Sequence, residues 1–206
     1  MAFIALEGLD GSGTTTQCTL LVAALRRRNV SVVETREPTN GPIGRLIRRF
    51  LGGELVLDPA TVALLFAADR LEHLRQEVIP ALQAGAMVIS DRYLLSSLAY
   101  QSIDLPPGWV AAINARAGHP DMTIFLDVSP EQCLARLAGR GTPAEHYERL
   151  DRLQAVARAY RRAIDAARLA GVAVRVVDGT GDPEAVHALV LAAVSPLLSA
   201  DERRRL

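Results

Sequence analysis

The stretch that decides the fold is residues 3–17, FIALEGLDGSGTTTQ. An apolar run, FIAL, leads into the glycine-rich segment GLDGSG and then into a helical pattern. This is the order of a phosphate-binding loop, G-x-x-x-x-G-K-[ST], in which Gly8, Gly13 and Thr15 match but Thr14 stands where the lysine belongs. The alternative is a glycine-rich turn between strand and helix that binds nothing.

The residue types of this loop suit a phosphate ligand. Glycine lets backbone N–H groups turn towards phosphate oxygens, and the following helix N-terminus adds a partial positive charge. The hydroxyl of Thr15 can complete the shell of a bound Mg²⁺. The sequence has 23 arginines and no lysine. A cation that replaces the loop lysine would therefore be an arginine or a metal ion. A lysine-poor composition explains surface arginines, but not a threonine at position 14.

Composition indicates one globular domain over residues 1–206. Half of the residues are apolar, and the net charge is zero, so no global field attracts nucleic acid or an anionic membrane. Cys18 and Cys133 are too few for a disulfide framework. The first apolar run ends at Glu7, and no run approaches the ~20 apolar residues of a membrane span. We expect no nucleic-acid or membrane partner and a cytoplasmic location.

Short apolar runs alternate with longer helical patterns, which is typical of βαβ units in an α/β fold with a parallel sheet. The predicted strands are 3–6, 31–35, 86–90, 123–127 and 172–177. The predicted helices are 14–28, 44–51, 59–83, 95–101, 107–117, 130–137, about 144–170 and 183–198. Ligands of such sheets bind beyond the carboxyl ends of the strands, so the residues after each strand are the candidates for a site.

Charged residues follow two of the predicted strands. Asp91 can accept a hydrogen bond from a water bound to Mg²⁺, and Arg92 can grip a phosphate with two hydrogen bonds. The alternative for this pair is a surface ion pair, which contributes little. TREP follows the second strand, and the next helical pattern places Arg45, Arg48 and Arg49 where they either point at an acidic ligand or remain solvated.

Two further patterns lie on predicted helices. Phe66 and Arg70 are four residues apart on one face, where a ring can stack on a base and a guanidinium can bind its carbonyl edge. Core packing is the alternative for Phe66. The arginine-rich segment 136–152 is broken by a glycine and a proline, which indicates either a lid that closes over phosphates or an exposed helical hairpin.

In their order along the chain, these motifs resemble those of the bacterial-type thymidylate kinases, which are P-loop nucleoside monophosphate kinases. The landmarks are FIALEGLDGSG, TREP, LLFAADRLEH, SDRYLLSSLAYQ, PDMTIFLDVSPE and LARLAGRG. The resemblance implies a P-loop NTPase-type, three-layer α/β fold with a five-stranded parallel sheet flanked by helices, and a small lid at about 138–153. It also implies a homodimer that uses ATP and Mg²⁺ to phosphorylate dTMP in dTTP synthesis.

The resemblance further implies a role for each matching residue. ATP would be bound by Gly8, Gly11, Ser12, Gly13, Thr14, Thr15 and Thr16, and Mg²⁺ by Thr15 and Asp91. The acceptor dTMP would be bound by Asp10, Glu37, Arg48, Phe66, Arg70, Arg92, Ser97, Tyr100 and Gln101. Within that set Phe66 would stack on thymine, Arg70 would read its carbonyl edge, and Tyr100 would crowd the sugar 2′ position. A cis peptide bond before Pro38 would aim Glu37 into the site.

Catalysis would rest on Asp10, Arg92 and Arg140. Two departures from the family pattern bear on it: Thr14 replaces the loop lysine, and the lid reads TPAEHYERLDR where the family has a D-R-I-E type sequence. We expect an active thymidylate kinase in which Arg140 supplies the missing charge. The alternatives are a nucleotide-binding protein of the same fold with little or no turnover, and a related kinase with another acceptor nucleotide.

Overall fold

Five parallel strands form one sheet in the order β2-β3-β1-β4-β5. The structure is a computed structural model that describes residues 1–139 and 149–198. The strands are β1 (Phe3–Gly8), β2 (Val32–Arg36), β3 (Met87–Asp91), β4 (Met122–Asp127) and β5 (Val174–Asp178). These positions confirm the five predicted strands, with bounds that differ by at most two residues.

The central strand is buried along its whole length, as expected for a parallel sheet covered on both faces. Ile4 pairs in register with Ile89 of β3 on one side and with Met122 of β4 on the other. Because β1 and β3 are neighbours, the carboxyl end of β1 at Gly8 lies beside that of β3 at Asp91. The loops after these two strands therefore share one edge of the sheet.

Helices cover both faces of the sheet and confirm the three-layer fold. The helices are α1 (Thr14–Arg27), α2 (Pro42–Leu51), α3 (Pro59–His73), α4 (Ile79–Gln83), α5 (Leu94–Tyr100), α6 (Pro107–Ile113), α7 (Pro130–Ala138), α8 (Leu150–Leu169) and α9 (Pro183–Val194). On one face α1 and α9 bury Leu21, Leu25 and Val190 against the sheet. On the other face α8 contributes Val156 and Tyr160 to a second core.

The predicted helix over 59–83 is interrupted. A π-helical turn, Leu74–Val78, separates α3 from α4, and the N–H of Ile79 bonds to the carbonyl of Leu74. Pro80 explains the interruption, because proline has no N–H for the regular hydrogen bond to the fourth residue before it. The wider turn lets the chain continue in the same direction past the proline.

The predicted helix over 107–117 ends early, at Ile113. Asn114 follows it, and its side chain is buried and donates to the carbonyl of Val110 at 2.9 Å. Asparagine side chains compete with helical hydrogen bonds in this way, which favours termination. No helix in the described ranges is both long enough and apolar enough to cross a membrane.

Candidate active site

The loop between β1 and α1 has the backbone of a phosphate cradle. Gly11 and Gly13 adopt positive φ angles of 87° and 100°, which side-chain-bearing residues rarely adopt. A Cβ at Gly8 would lie 2.3 Å from the Oγ of Ser12, and one at Gly11 would lie 2.5 Å from the carbonyl oxygen of Cys133. The loop is therefore folded closely on itself and on α7, and a side chain at position 8 or 11 would clash with these neighbours.

The first turn of α1 presents N–H groups and hydroxyls beyond this loop. Gly13 is the N-cap, and no described side chain caps the helix. Anions bind at such helix N-termini because backbone donors and the helix dipole act together. Thr15 and Thr16 are exposed there, whereas Thr14 is only 5% exposed. The residue in the lysine position thus points away from solvent and brings no charge.

Thr15 and Asp91 meet at the edge of the sheet, at the place predicted for a metal ion. The hydroxyl of Thr15 donates to Oδ2 of Asp91 at 2.5 Å. The other carboxylate oxygen, Oδ1, is buried and has no partner among residues 1–139 and 149–198. Those ranges hold no group of three His, Cys, Asp or Glu side chains suited to a metal. One hydroxyl and one carboxylate fit Mg²⁺, which takes its other ligands from phosphates and water.

Arg92 and Asp10 form an ion pair beside the phosphate loop. Nη2 of Arg92 lies 2.5 Å from Oδ1 of Asp10, and Nη1 donates to the carbonyl of Gly8 at 2.8 Å. The guanidinium lies over the ring of Tyr100, with 5.4 Å from Cζ to the ring centroid. The hydroxyl oxygen of Tyr100 in turn accepts a hydrogen bond from the backbone N–H of Asp10 at 3.1 Å. Asp10, Arg92 and Tyr100 therefore form one unit.

Arg92 adopts a left-handed backbone conformation, with φ of 71°. Such angles are uncommon for residues other than glycine and cost free energy, so they persist only where the surroundings hold them. The hydroxyl of Ser90 donates to the carbonyl of Arg92 at 2.7 Å and helps to hold the turn. The result is an arginine directed back from the end of β3 towards the phosphate loop.

Glu7 binds the groups that contact Arg92, and the sequence did not predict this role. Its Oε1 accepts from the N–H groups of Tyr93 and Ser96 at 3.0 and 3.1 Å. Its Oε2 accepts from the hydroxyls of Ser96 and Tyr160 at 2.5 and 3.0 Å. Both hydroxyls also contact Nη1 of Arg92, at 3.2 and 3.4 Å. The available signal was a charged residue at the end of a wholly apolar strand.

A pocket of about 220 Å³, called the acceptor pocket after the ligand predicted for it, opens next to Arg92. The predicted acceptor-site residues Asp10, Glu37, Arg48, Phe66, Arg92, Ser97, Tyr100 and Gln101 all line it. Oε1 of Gln101 is buried and has no hydrogen-bond partner in the part of the chain that is described. It is therefore available to accept a hydrogen bond from a ligand. Arg36, Pro38, Leu51, Asp91 and Ser96 complete the lining.

Arg70 lies behind this pocket. Its guanidinium is 1% exposed, and it donates to Glu37 at 2.7 Å and to Ser97 at 3.0 and 3.1 Å. It also binds the side chain of Asn114 and the carbonyl of Tyr93. Arg70 does not line the pocket, and Ser97 lies between the two. Base reading by Arg70 stays a prediction.

Glu37 is held inside the same network. The Glu37–Pro38 peptide bond is cis, as predicted, and Glu37 reaches the pocket wall. Its Oε1 lies 3.0 Å from Nδ1 of His73, and its Oε2 accepts from Arg70. Both oxygens of Glu37 are therefore engaged with Arg70 and His73, and binding of dTMP by Glu37 stays a prediction.

Arg48 also lines the pocket with a guanidinium that is already engaged. It donates to the carbonyl of Pro38 at 2.7 Å, to the carbonyl of Thr39 and to Oδ1 of Asn40 at 3.0 Å. Arg45 and Arg49, the other two arginines of the same helical segment, lie outside the pocket lining. Phosphate binding by Arg48 stays a prediction.

Another cavity, of about 260 Å³, lies on the other side of the phosphate loop. Gly11, Ser12, Gly13 and Thr16 line it together with Arg136 and the segment that precedes α9. Arg136 donates to the carbonyl of Ser12 at 3.3 Å and to that of Gly179 at 3.0 Å. The sequence predicted Arg136 only as part of the arginine-rich lid segment 136–152. Its contacts place it against the outer side of the loop.

The predicted lid over 138–153 is described only at its two ends. Arg140 lies outside the described residues, so its predicted catalytic role stays a prediction. Arg149 pairs with Asp151 on the surface at 3.2 Å. Arg152 pairs with Asp104 at 2.8 Å, away from the phosphate loop.

Three features together are those of P-loop nucleotide kinases: the phosphate loop, the Thr15–Asp91 pair where a metal ion is predicted (the metal corner), and the pocket beside Arg92. Comparison with known proteins identifies the family within this class. Residues 6–190 match the sequence model of the thymidylate kinase family. The chain therefore belongs to the thymidylate kinase family.

Individual relatives match over most of the chain. A protein described as a probable thymidylate kinase from Pyrobaculum aerophilum is 46% identical over 191 residues, 91% of this chain and 93% of its own length. The thymidylate kinase of Thermomicrobium roseum is 41% identical over 210 residues and 98% of each chain. A probable thymidylate kinase from Thermococcus kodakarensis is 38% identical over 209 residues, 95% of this chain and 98% of its own length.

Proposed function

We propose that the protein is an ATP:dTMP phosphotransferase, which converts dTMP and ATP to dTDP and ADP. The observation that carries the proposal is the pocket beside the phosphate loop. Phe66, Ser97 and Gln101 offer a ring and polar groups for a pyrimidine, while Arg92 and Asp10 border the loop. Family membership supports the choice of thymidylate among the possible acceptors.

Phosphoryl transfer depends mainly on positioning and on electrostatic stabilisation. In this proposal the loop N–H groups and the N-terminus of α1 hold the ATP phosphates. Arg92 orients the acceptor phosphate towards them, and Asp10 fixes Arg92 while facing the sugar hydroxyl. Mg²⁺, held by Thr15 and Asp91, would neutralise charge on the ATP phosphates. Crowding of the sugar 2′ position by Tyr100 would disfavour ribonucleotides.

The alternative is a binding protein of the same fold without turnover. A well-placed cation at the transferring phosphoryl is worth about 10³ to 10⁵ in rate, or roughly 4 to 7 kcal/mol. Loss of the loop lysine would therefore lower kcat by this factor unless another positive charge replaces it. The described residues of the acceptor pocket and the metal corner remain in place, and no feature of them favours the inactive alternative.

The proposed function predicts a preference for dTMP. ADP formation with ATP and Mg²⁺ should be far faster with dTMP than with the monophosphates of cytidine, guanosine or adenosine. Phe66→Ala should raise the KM for dTMP by roughly 5- to 150-fold, because base stacking on an aromatic ring is worth about 1–3 kcal/mol. A coupled spectrophotometric assay measures both quantities.

Phe66→Leu is the matched control for this prediction, since it keeps apolar volume without a flat ring. Equal rates with all four monophosphates, at an unchanged KM in Phe66→Ala, would contradict the proposed acceptor. Removal of Mg²⁺ by EDTA should abolish turnover in every variant.

We also propose that the protein is a homodimer. Leu64, Leu71 and Ile79 are 50%, 39% and 46% exposed along the α3–α4 helix. They recur seven and eight residues apart, so they form an apolar stripe on one side of that helix. A row of exposed apolar side chains along one helix is a candidate interaction surface. The predicted cytoplasmic location stays a prediction.

Leu71→Glu should convert the dimer to a monomer, because it places a charge in the proposed interface. Light scattering coupled to size-exclusion chromatography measures the change. Leu169→Glu is the control, since Leu169 is 90% exposed and lies elsewhere, on α8. A dimer that persists in Leu71→Glu, or a monomeric parent protein, would refute the interface.

A further inference from the structure

Three arginines line the acceptor pocket, and they differ in how their guanidinium groups are used. Arg48 is bound to the segment 38–40, and Arg92 is bound to Asp10 and to the loop carbonyl of Gly8. Arg36 is exposed, and its side chain makes no hydrogen bond or ion pair with the residues that the structure describes. It is therefore the pocket arginine whose donors remain available for a ligand.

Arg36 lies at the junction between the acceptor pocket and the metal corner. It is the last residue of β2, and its Cα pairs in register with that of Asp91 in β3. Thr15 and Asp91 also line a neighbouring cavity of about 610 Å³. Arg36 and Asp91 are the two residues that line both this cavity and the acceptor pocket. A phosphoryl group that moves from the loop to the acceptor has to pass near this junction.

Charge at this junction is unbalanced in a way that suits an anion. Burial, and then the neighbouring positive charge of Arg36, lower the pKa of Arg48. Arg36 is thus close enough to Arg48 for the two like charges to repel, and no described carboxylate pairs with Arg36. A phosphate oxygen between them would relieve the repulsion and use the free donors of Arg36.

We propose that Arg36 supplies the positive charge at the transferring phosphoryl that the loop lysine would otherwise supply; this inference rests on the proposed kinase function. In the step, an oxygen of the acceptor phosphate forms a bond to the γ-phosphorus of ATP. The bond from that phosphorus to the bridging oxygen breaks, and its electron pair stays on the ADP formed. Arg36 donates hydrogen bonds to the oxygens of the moving group and loses no proton.

A double-mutant cycle tests the coupling between positions 36 and 14. The four proteins are the parent, Arg36→Gln, Thr14→Lys and the double variant, each assayed for ADP formation with saturating ATP, Mg²⁺ and dTMP. Arg36→Gln should lower kcat by about 10² to 10³-fold, the range typical for loss of one donor to developing charge. Thr14→Lys should raise kcat at least about tenfold more in the Arg36→Gln background than in the parent.

Arg45→Gln is the matched control, because Arg45 is an exposed arginine on α2 whose recorded contact is the carbonyl of Asn40. It should leave kcat unchanged. Arg36→Lys, which keeps the charge, should retain more activity than Arg36→Gln, and thermal unfolding of each variant shows whether it is folded.

Several outcomes would overturn the inference. An unchanged kcat in Arg36→Gln, with a large loss in Arg140→Ala, would assign the charge to the lid instead. Equal gains from Thr14→Lys in both backgrounds would show that the two positions act independently. A parent protein that binds ATP and dTMP without turnover would show that no charge replaces the lysine. Failure of the proposed acceptor alone would look different: another monophosphate would be phosphorylated with the same dependence on Arg36.

Discussion

Arg92→Gln is expected to lower kcat/KM for dTMP by at least about 10³-fold. The guanidinium borders both the phosphate loop and the acceptor pocket, through Gly8 and Asp10. Glutamine cannot replace the planar, permanently charged fork that binds a phosphate with two hydrogen bonds. Steady-state kinetics with dTMP and ATP measure the loss, and Arg161→Gln, an exposed arginine on α8, serves as the control.

Removal of Arg92 also leaves Asp10 without its ion-pair partner, so a stability effect has to be separated from a catalytic one. The two side chains are only 19% and 23% exposed, and breaking such a pair from one side costs more than removing both partners. We therefore expect Asp10→Asn/Arg92→Gln to regain thermal stability relative to Arg92→Gln. Activity should stay lost in the double variant. Recovery of activity together with stability would mean that Arg92 acts only as a structural residue.

Glu7→Leu is expected to lower the free energy of unfolding by about 3–5 kcal/mol. Leucine would leave the N–H groups of Tyr93 and Ser96 and the hydroxyl of Tyr160 without their common acceptor in a fully buried position. Glu7→Gln keeps one acceptor oxygen and should cost less. Urea denaturation measures both changes.

Glu54→Leu is the control for this prediction, since Glu54 forms only an exposed ion pair with Arg49. Its effect should stay within about 0.5 kcal/mol. A loss of less than about 1 kcal/mol in Glu7→Leu would contradict the role of Glu7 as the common acceptor. Because Glu7 also holds the partners of Arg92, kcat should fall in Glu7→Leu even under conditions where the variant is folded.

The pH dependence of stability offers a second measure of Glu7. Burial raises the pKa of Glu7 above its usual value, against the opposing effects of the Ser96 hydrogen bond and the charge of Arg92. The folded state then keeps its proton to a higher pH than the unfolded state does. The contribution of this group is therefore fully present below the unfolded pKa and is lost as pH rises through the folded pKa. Glu7→Gln should remove that decline.

The resemblance to the family supplied most of the residues that line the pocket beside Arg92, whereas the sequence by itself determined the fold class and the phosphate loop. These depend on local signals: glycine spacing between a strand and a helix, the apolar runs of buried parallel strands, and charged residues at strand ends. Parallel strands end at the same edge of a sheet, so residues from TREP and SDRY converge there, and helix α3 adds Phe66. Gly8 was predicted from the loop motif, Arg92 from the end of a strand and Asp10 from the resemblance, and the three are found together.

Only the tertiary structure decided which polar groups are engaged and which are free. Arg36, Arg48, Arg70 and Arg92 look equivalent as arginines in a sequence. Among the described residues, however, the exposed side chain of Arg36 has no partner, while the others bind carboxylates or carbonyls. Glu7 was missed for the same reason, because its four donors come from segments about 90 and 150 residues away. Motifs specify local backbone geometry, whereas burial and hydrogen-bond pairing depend on which distant segments pack together.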